Sequence, residues 1–252
     1  MLRFYLTGRV GVEGRTFLDQ ADLPGRQGKL ALVHLVVERH HPVAIDTLAA
    51  ALWGNHLPPS WEPSLRAIVS KLRRALAQID DGVGLLSDAG CYQAVLGEAW
   101  IDVDAAMNAV DRAEGALRRG KHALAWADAT VAASIAGRPV LPGEDLPWVG
   151  ALRGRVRSTH IRALDVLARL YLADEQLPLA LAIAQQLVEL EPYRETSYHH
   201  LMRAQLAAGN RGEAVRVYGA LRQRLREELG VDPSAETQAV YLAAMRAGAR
   251  TG

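Results

Sequence analysis

Residues 61–79 read WEPSLRAIVSKLRRALAQI. Leu65, Ile68, Val69, Leu72, Leu76 and Ile79 recur there at intervals of three and four, the spacing that gathers apolar side chains into one stripe along an α-helix. The opposite face holds Ser64, Arg66, Ser70, Lys71, Arg73 and Arg74. Four basic residues against Glu62 alone give this segment a local charge of +3, whereas residues 1–100 balance ten basic against ten acidic side chains. The basic charge is therefore concentrated on one face of one helix. Taken alone, such a face is more often a solvated surface than a binding site, so its neighbours decide what it is.

Upstream, Leu2, Phe4 and Leu6 alternate with Arg3, Tyr5 and Thr7, and Gly8, Gly11 and Gly14 interrupt Val10 and Val12. That pattern predicts short strands joined by glycine turns. From Gly25 the apolar spacing becomes helical through Leu30, Val33, Leu35, Val36 and Val37, until His40, His41 and Pro42 end it. A second helix is expected over about residues 45–53, with Asp46 in its first turn and Gly54, Asn55, Pro58 and Pro59 beyond its end. Downstream, residues 83–86 and 92–96 flank Ser87-Asp88-Ala89-Gly90 and predict a β-hairpin. Strands, three helices and a hairpin, with the third helix basic on its outer face, is the order of a winged helix-turn-helix.

Beyond Asp102 the pattern is helical almost throughout. Helices are expected at about 103–119, 121–136, 148–174, 178–190, 193–208, 211–229 and 234–247, punctuated by Gly120, Gly137, Pro178, Pro192, Gly209 and Gly230-Val231-Asp232-Pro233. Leu167 and Leu201, Ala180 and Ala214, and Leu164 and Tyr198 each stand 34 residues apart, the period of a tetratricopeptide repeat. The small residue at Ala180 or Ala214 lets the second helix of a hairpin approach the first, and Leu167 or Leu201 fills the space between. Pro192 closes the first unit where the motif expects proline; Arg226 stands at the equivalent place in the second. Residues 105–136 fit an earlier hairpin, and about three such units are needed to bury a continuous core. Residues 137–147 are expected to form an irregular connection inside this domain. The fold class that follows is mainly α with a small β component: a winged helix-turn-helix domain over 1–100, then a tetratricopeptide-like helical repeat domain over 101–252.

Composition narrows the function classes. A chain of 252 residues is about 1.7 domains at about 150 residues per domain, which favours two modest domains over one large one. With 29 Lys and Arg against 28 Asp and Glu the net charge is +1, which excludes a basic tail or an all-round attraction for nucleic acid. Any DNA binding must come from a local patch. Cys91 is the single cysteine, so an internal disulfide framework and CxxC zinc sites are excluded and a reducing cytoplasm is expected. Charges and glycines interrupt the first twenty residues, and no apolar run has the length of a membrane span.

Signals for enzymatic or metal chemistry fail on inspection. Gly25-Arg26-Gln27-Gly28-Lys29 resembles the end of a phosphate-binding loop, but its first glycine would fall on Leu23 and its final Ser or Thr on Leu30. Gly8, Gly11 and Gly14 have the wrong spacing for a dinucleotide fingerprint. The pairs His40-His41 and His199-His200 lack the spacing and carboxylate of a zinc site. No catalytic residue, metal ligand or cofactor is expected.

Three stretches carry a family resemblance: PVAIDTLAAALWG at 42–54, SLRAIVSKLRRAL at 64–76, and RETSYHHLMRAQLAAGNRGEAVRVYGALRQRLREELGVDPSAETQAVY at 194–241. Together they resemble the Streptomyces antibiotic regulatory protein family, with LREELGVDPSAET the most specific part and IVSKLRRAL the next. That family joins an OmpR-like winged helix to a bacterial transcriptional activator domain of tetratricopeptide-like hairpins. The resemblance implies a transcription activator whose copies bind neighbouring direct repeats near a promoter and contact RNA polymerase, including its sigma factor. It also makes residues 61–79 the recognition helix, with Ser64, Arg66, Ala67, Ser70, Lys71 and Arg74 facing double-stranded DNA. Arg66 stands where many relatives have glutamine, and Lys71 where arginine is usual.

Chemistry assigns these residues different roles. Arg66 suits a bidentate pair with guanine O6 and N7, at about 1–3 kcal/mol of base discrimination. Lys71, Arg74 and the Ser64 hydroxyl suit phosphates, which set register without reading sequence. Arg73, off the stripe formed by 67, 70, 71 and 74, is read either as a solvated or ion-paired side chain or as a DNA contact. The expected wing departs from the family's proline-glycine-tyrosine-arginine-leucine run, having Gly90-Cys91-Tyr92-Gln93-Ala94 with Asp88 at the turn. Tyr92 is expected in the hairpin core. Weak binding by a single copy, rescued by self-association on paired sites, would follow. The alternative is a helical-repeat scaffold, or a sensor whose repeat groove takes a small ligand or peptide, with Trp126, Trp148, Tyr171, Tyr198 and Tyr218 as groove candidates.

Overall fold

The computed structural model describes residues 1–80 and 82–246. They fall into two compact units: Met1–Met107 with Ile135–Arg157, and Asn108–Ser134 with the residues from Ser158 onward.

In the first unit β1 (Arg3–Tyr5), β2 (Gly11–Glu13), β3 (Phe17–Leu18) and β7 (Trp100–Ile101) form a sheet of order β3-β2-β1-β7, with β1 antiparallel to β2 and parallel to β7. Phe4 lies opposite both Val12 and Ile101, and all three are buried, so cross-strand pairing supplies the sheet's core face. Gly11 does not interrupt a strand but stands within β2, where a Cβ would come within 2.9 Å of the Phe17 ring. A side chain at this position would have to push the Phe17 ring aside.

Helices α1 (Gly25–Val37), α2 (Ile45–Trp53) and α3 (Trp61–Ala77) follow. α1 is buried continuously from Leu30 to Val36, as befits a central helix enclosed by its neighbours. α3 is strictly one-sided: Leu65, Val69, Leu72 and Leu76 are buried, each leucine contributing about 1.5–3 kcal/mol by burial, and its basic face stays in water. The hairpin of β5 (Gly84–Asp88) and β6 (Cys91–Val95) then pairs in register from Gly84↔Val95 to Asp88↔Cys91, with β4 (Val43–Ala44) on the other edge of β6. Its turn is two residues, not four. Ala89 and Gly90 have φ +46° and +75°, the left-handed pair that matches the twist of a tight hairpin.

The irregular stretch 137–147, expected within the helical domain, packs in the first unit. Gly8 N donates to Pro139 O at 2.7 Å, Trp148 Nε1 to Ala51 O at 2.9 Å, and Arg153 Nε to Val140 O at 2.9 Å. Arg26 Nε donates to Glu144 Oε1 at 3.0 Å, pairing a nearly buried carboxylate. Asp102 opens α4 (Asp102–Arg118) and is wholly buried. Its carboxylate accepts the backbone N–H groups of Leu6 and Thr7, each at 2.9 Å, the Thr7 hydroxyl at 2.8 Å and the Val103 N–H at 2.8 Å. Four donors thus satisfy the oxygens of a carboxyl group removed from water.

The second unit is helical. Residues of α4, α5 (His122–Ala136) and α6 (Pro147–Ala173) are followed by α7 (Leu177–Leu190), α8 (Glu195–Ala207), α9 (Arg211–Arg224) and α10 (Ala235–Arg246). Alanines make the close contacts: Ala113, Ala116, Ala125 and Ala129 interlock with Val166, Leu167 and Leu170. The 34-residue repeat is physical, since Leu164 and Tyr198, Leu167 and Leu201, and Ala180 and Ala214 are all buried at matching places. Tyr198 donates its hydroxyl hydrogen to Pro192 O at 2.9 Å, which anchors the proline that closes the first repeat. The helix expected over 211–229 changes character: α9 stops at Arg224 and Leu225–Leu229 form a π-helical turn ended by Gly230 at φ +70°. Arg226 Nε donates to Asp232 Oδ1 at 2.7 Å beside that turn, so the residue in proline's place ties the chain back by an ion pair instead.

Candidate nucleic-acid interface

α3 brings five of the six expected residues onto one exposed surface. Arg66, Ala67, Ser70, Lys71 and Arg74 are all exposed, and at 3.6 residues per turn they span an arc of about 140°. Ser64 is half-buried at the margin of that arc, with its N–H donated to Ser60 O at 3.2 Å. Glycine-free, proline-free backbone from Ser64 to Ala77 keeps the face straight and rigid. Arg66 Nη2 lies 3.1 Å from Glu62 Oε2, one turn away and well exposed. Such a pair is worth only a few tenths of a kcal/mol, so Arg66 can leave Glu62 for a better acceptor at little cost.

Lys71 and Arg74 border an open cleft of about 520 Å³ with Phe17, Asp22 and Gln78. Phe17 was not singled out by sequence, although its alternation with buried Leu18 puts it outward; its side chain is 56% exposed. Other arginines of this unit are committed elsewhere: Arg9 to Asp19 at 3.0 Å, Arg26 to Glu144, and Arg39 to Asp104. Arg73 is exposed, in keeping with a solvated side chain, but it is also tied down. Its Nε donates to Leu85 O at 2.7 Å, tying α3 to the first strand of the hairpin.

The hairpin itself offers little to an anion. Residues 84–95 contain no Lys or Arg, and Asp88 and Leu86 are exposed near the turn. Tyr92 is buried, as expected of a core residue, and Gln93 Nε2 donates to Arg39 O at 3.1 Å. The cations of the candidate surface thus come from α3, while the hairpin turn carries an aspartate.

The aromatic groove candidates scatter. Tyr198 is buried, Trp148 lies in the first unit against His34 with ring centroids 4.8 Å apart, and Tyr218 stacks on Tyr241 at 4.2 Å. Trp126 is 47% exposed and donates from Nε1 to the Tyr171 hydroxyl at 3.2 Å. Of the five, Trp126 and Tyr171 are brought together by that bond.

Comparison with known proteins bears on this arrangement. Residues 101–244 match the family described as the bacterial transcriptional activator domain. The chain is 30% identical over 210 residues to Regulatory protein AfsR of Streptomyces coelicolor, covering 82% of this chain and 20% of AfsR. It is 26% identical over 231 residues to Transcriptional regulatory protein MoaR1 of Mycobacterium tuberculosis, covering 84% of this chain and 70% of MoaR1. Transcriptional regulator RedD of Streptomyces coelicolor is 27% identical over 241 residues, with 90% of this chain and 67% of RedD covered. The solved structure of Mycobacterium tuberculosis EmbR in complex with a low affinity phosphopeptide superposes with a TM-score of 0.85 at 22% identity, over 97% of this chain and 65% of that one. The chain thus spans a fifth of AfsR and about two thirds of the EmbR chain. These likenesses lie among transcriptional regulators, and none reaches the level of an individual DNA contact.

Proposed function

The chain belongs to the bacterial transcriptional activator domain family, among regulators of the Streptomyces antibiotic regulatory protein type, and from that membership we propose that it activates transcription by sequence-specific binding to double-stranded DNA. The observation that carries the proposal is the face of α3, where Arg66, Lys71 and Arg74 stand exposed on a rigid helix in a unit whose other cations are largely paired. α3 enters the major groove; Arg66 leaves Glu62 and reads a guanine, Ala67 gives apolar contact, and Lys71, Arg74 and Ser70 hold phosphates. Ser64 reaches a phosphate from the margin of the face. Residues 1–100 are the DNA-binding domain and residues 101–252 the activator domain.

A single copy binds weakly, because three cations are few and the Asp88 wing repels the backbone. Two copies on neighbouring direct repeats supply the missing affinity, and the assembled pair contacts RNA polymerase and its sigma factor. The test is to incubate the purified protein with fragmented genomic DNA at low and near-physiological salt and to sequence what is retained. Enrichment of a few upstream regions carrying paired direct repeats, weakening with salt as counterion release requires, supports the reading. Uniform retention, or none at either salt, contradicts it.

A further inference from the structure

The repeat that spaces the leucines also spaces two arginines. Arg169 on α6 and Arg203 on α8 are 34 residues apart, both exposed. Asp165, Arg169, Thr196, His199, His200 and Arg203 line a cleft of about 500 Å³. A second cleft of about 490 Å³ shares His199 and Arg203 and continues over Leu206, Ala239 and Val240, with Glu236 on its rim. The shared residues make these one groove across α6, α8 and α10 in the second unit.

Two carboxylates line this groove, Asp165 and Glu236, and Asp165 is engaged, as is the neighbouring Glu195. Asp165 accepts His200 Nε2 at 2.9 Å. Burial opposes its charge, but His200 and the nearby Arg194 and Arg169 outweigh that and hold its pKa below the usual carboxylate range. Glu195 accepts the Ser234 N–H and hydroxyl, each at 2.9 Å, and the Thr237 hydroxyl. His199 Nε2 lies 2.5 Å from Thr237 Oγ1. These bonds lock α8 between α6 and α10 and leave Glu236 as the acidic group at one end. Arg169 and Arg203 make no hydrogen bond or ion pair among the described residues. Both guanidinium groups face an open groove, and Asp165, whose charge Arg169 supports, already accepts His200.

We infer that this groove binds an extended acidic peptide segment of a protein partner, with Arg169 and Arg203 each taking one carboxylate and the Leu206, Ala239 and Val240 end taking an apolar side chain. Guanidinium geometry favours carboxylate oxygens, which it meets with two parallel N–H···O bonds. Packed helix axes lie about 8–10 Å apart. In a polyproline II segment, residues i and i+3 project on the same side about 9 Å apart at 3.1 Å rise per residue, so the proposal commits to acidic residues three apart. A helical peptide would present its acidic pair on a different spacing. The inference stands independently of the DNA reading, because neither arginine belongs to the first unit.

The experiment uses the full chain and fluorescein-labelled nonapeptides carrying two aspartates two, three, four or five residues apart and one leucine, followed by fluorescence anisotropy. Saturable binding that is strongest at the three-residue spacing is expected. Replacing both aspartates by asparagine should abolish it. R169A and R203A should each weaken it by about tenfold or more, the loss of a charge-assisted pair, and R169A/R203A should remove it. The thermal midpoint and retention of genomic DNA should stay as in the parent chain, since both side chains are exposed. Equal binding at all spacings, binding of the asparagine peptides, or binding unchanged in R169A/R203A would each overturn the inference.

Discussion

Arg73 Nε donates to the carbonyl oxygen of Leu85 at 2.7 Å, joining the helix that faces solvent with its cations to the first strand of the wing. The bond spans twelve residues and ties together the two elements that, under the proposed function, meet one DNA surface. Replacing Arg73 with alanine leaves the Leu85 carbonyl without that donor, at a cost of about 1–2 kcal/mol in stability. The same change should weaken DNA binding evenly across operator variants, because it moves the wing without touching a base. Chemical denaturation and anisotropy on matched and mismatched duplexes separate the two effects.

Base reading and phosphate holding should divide along α3. Arg66→Ala is expected to lose about 1–3 kcal/mol of discrimination at one base pair while leaving the salt slope nearly intact. Lys71→Ala or Arg74→Ala should weaken all sequences alike and reduce the slope of log K against log salt by about 0.9 each. Titrations of each variant at several salt concentrations test the assignment.

The wing makes a prediction of opposite sign. Asp88 is exposed beside a turn that carries no cation, so Asp88→Lys should tighten binding to any duplex and steepen its salt dependence. Unchanged affinity would mean that the hairpin tip does not approach the backbone.

Burial of His34 makes the first unit sensitive to acid. Neither ring nitrogen has a hydrogen-bond partner, and the ring packs edge-on against Trp148. Desolvation lowers its pKa below the ordinary 6.5, with Glu38 opposing weakly. The unfolded chain therefore takes up a proton first as pH falls, so stability is full above 6.5 and declines below it until the folded-state pKa is reached. His34→Leu should flatten that part of the profile. His160 and His199, also lowered mainly by burial, contribute with the same sign and remain in the variant.

Asp102 is wholly buried and bonded by four donors in the first unit. Asp102→Asn keeps the shape but removes the charge and presents an amide to donors, which should cost about 2–3 kcal/mol given four hydrogen bonds to a buried carboxylate. Thermal unfolding measures it directly.

Periodicity made the helices and the repeat legible, because Leu65, Val69, Leu72 and Leu76 or Ala180 and Ala214 encode their burial in spacing alone. Short strands were less so. Val43–Ala44 and Trp100–Ile101 are two residues each and exist only through partners distant in sequence. The π-helical turn at Leu225–Leu229 and the packing of residues 137–147 in the first unit depend on tertiary contacts that no local pattern carries. At the candidate site, the exposed face of α3 followed from its amphipathic stripe, but the Arg73–Leu85 bond needed the fold. Arg169 and Arg203 were readable in principle, since they share the 34-residue spacing that marked the leucines.

The central claim is that α3 reads DNA. Its most direct test is the Arg66→Ala/Lys71→Ala double variant, compared with the parent chain on the operator recovered from genomic DNA, with thermal unfolding run alongside. If α3 reads DNA, the thermal midpoint stays unchanged while preference for that operator and output from its promoter are lost. Undiminished, operator-specific binding by the folded double variant would contradict it.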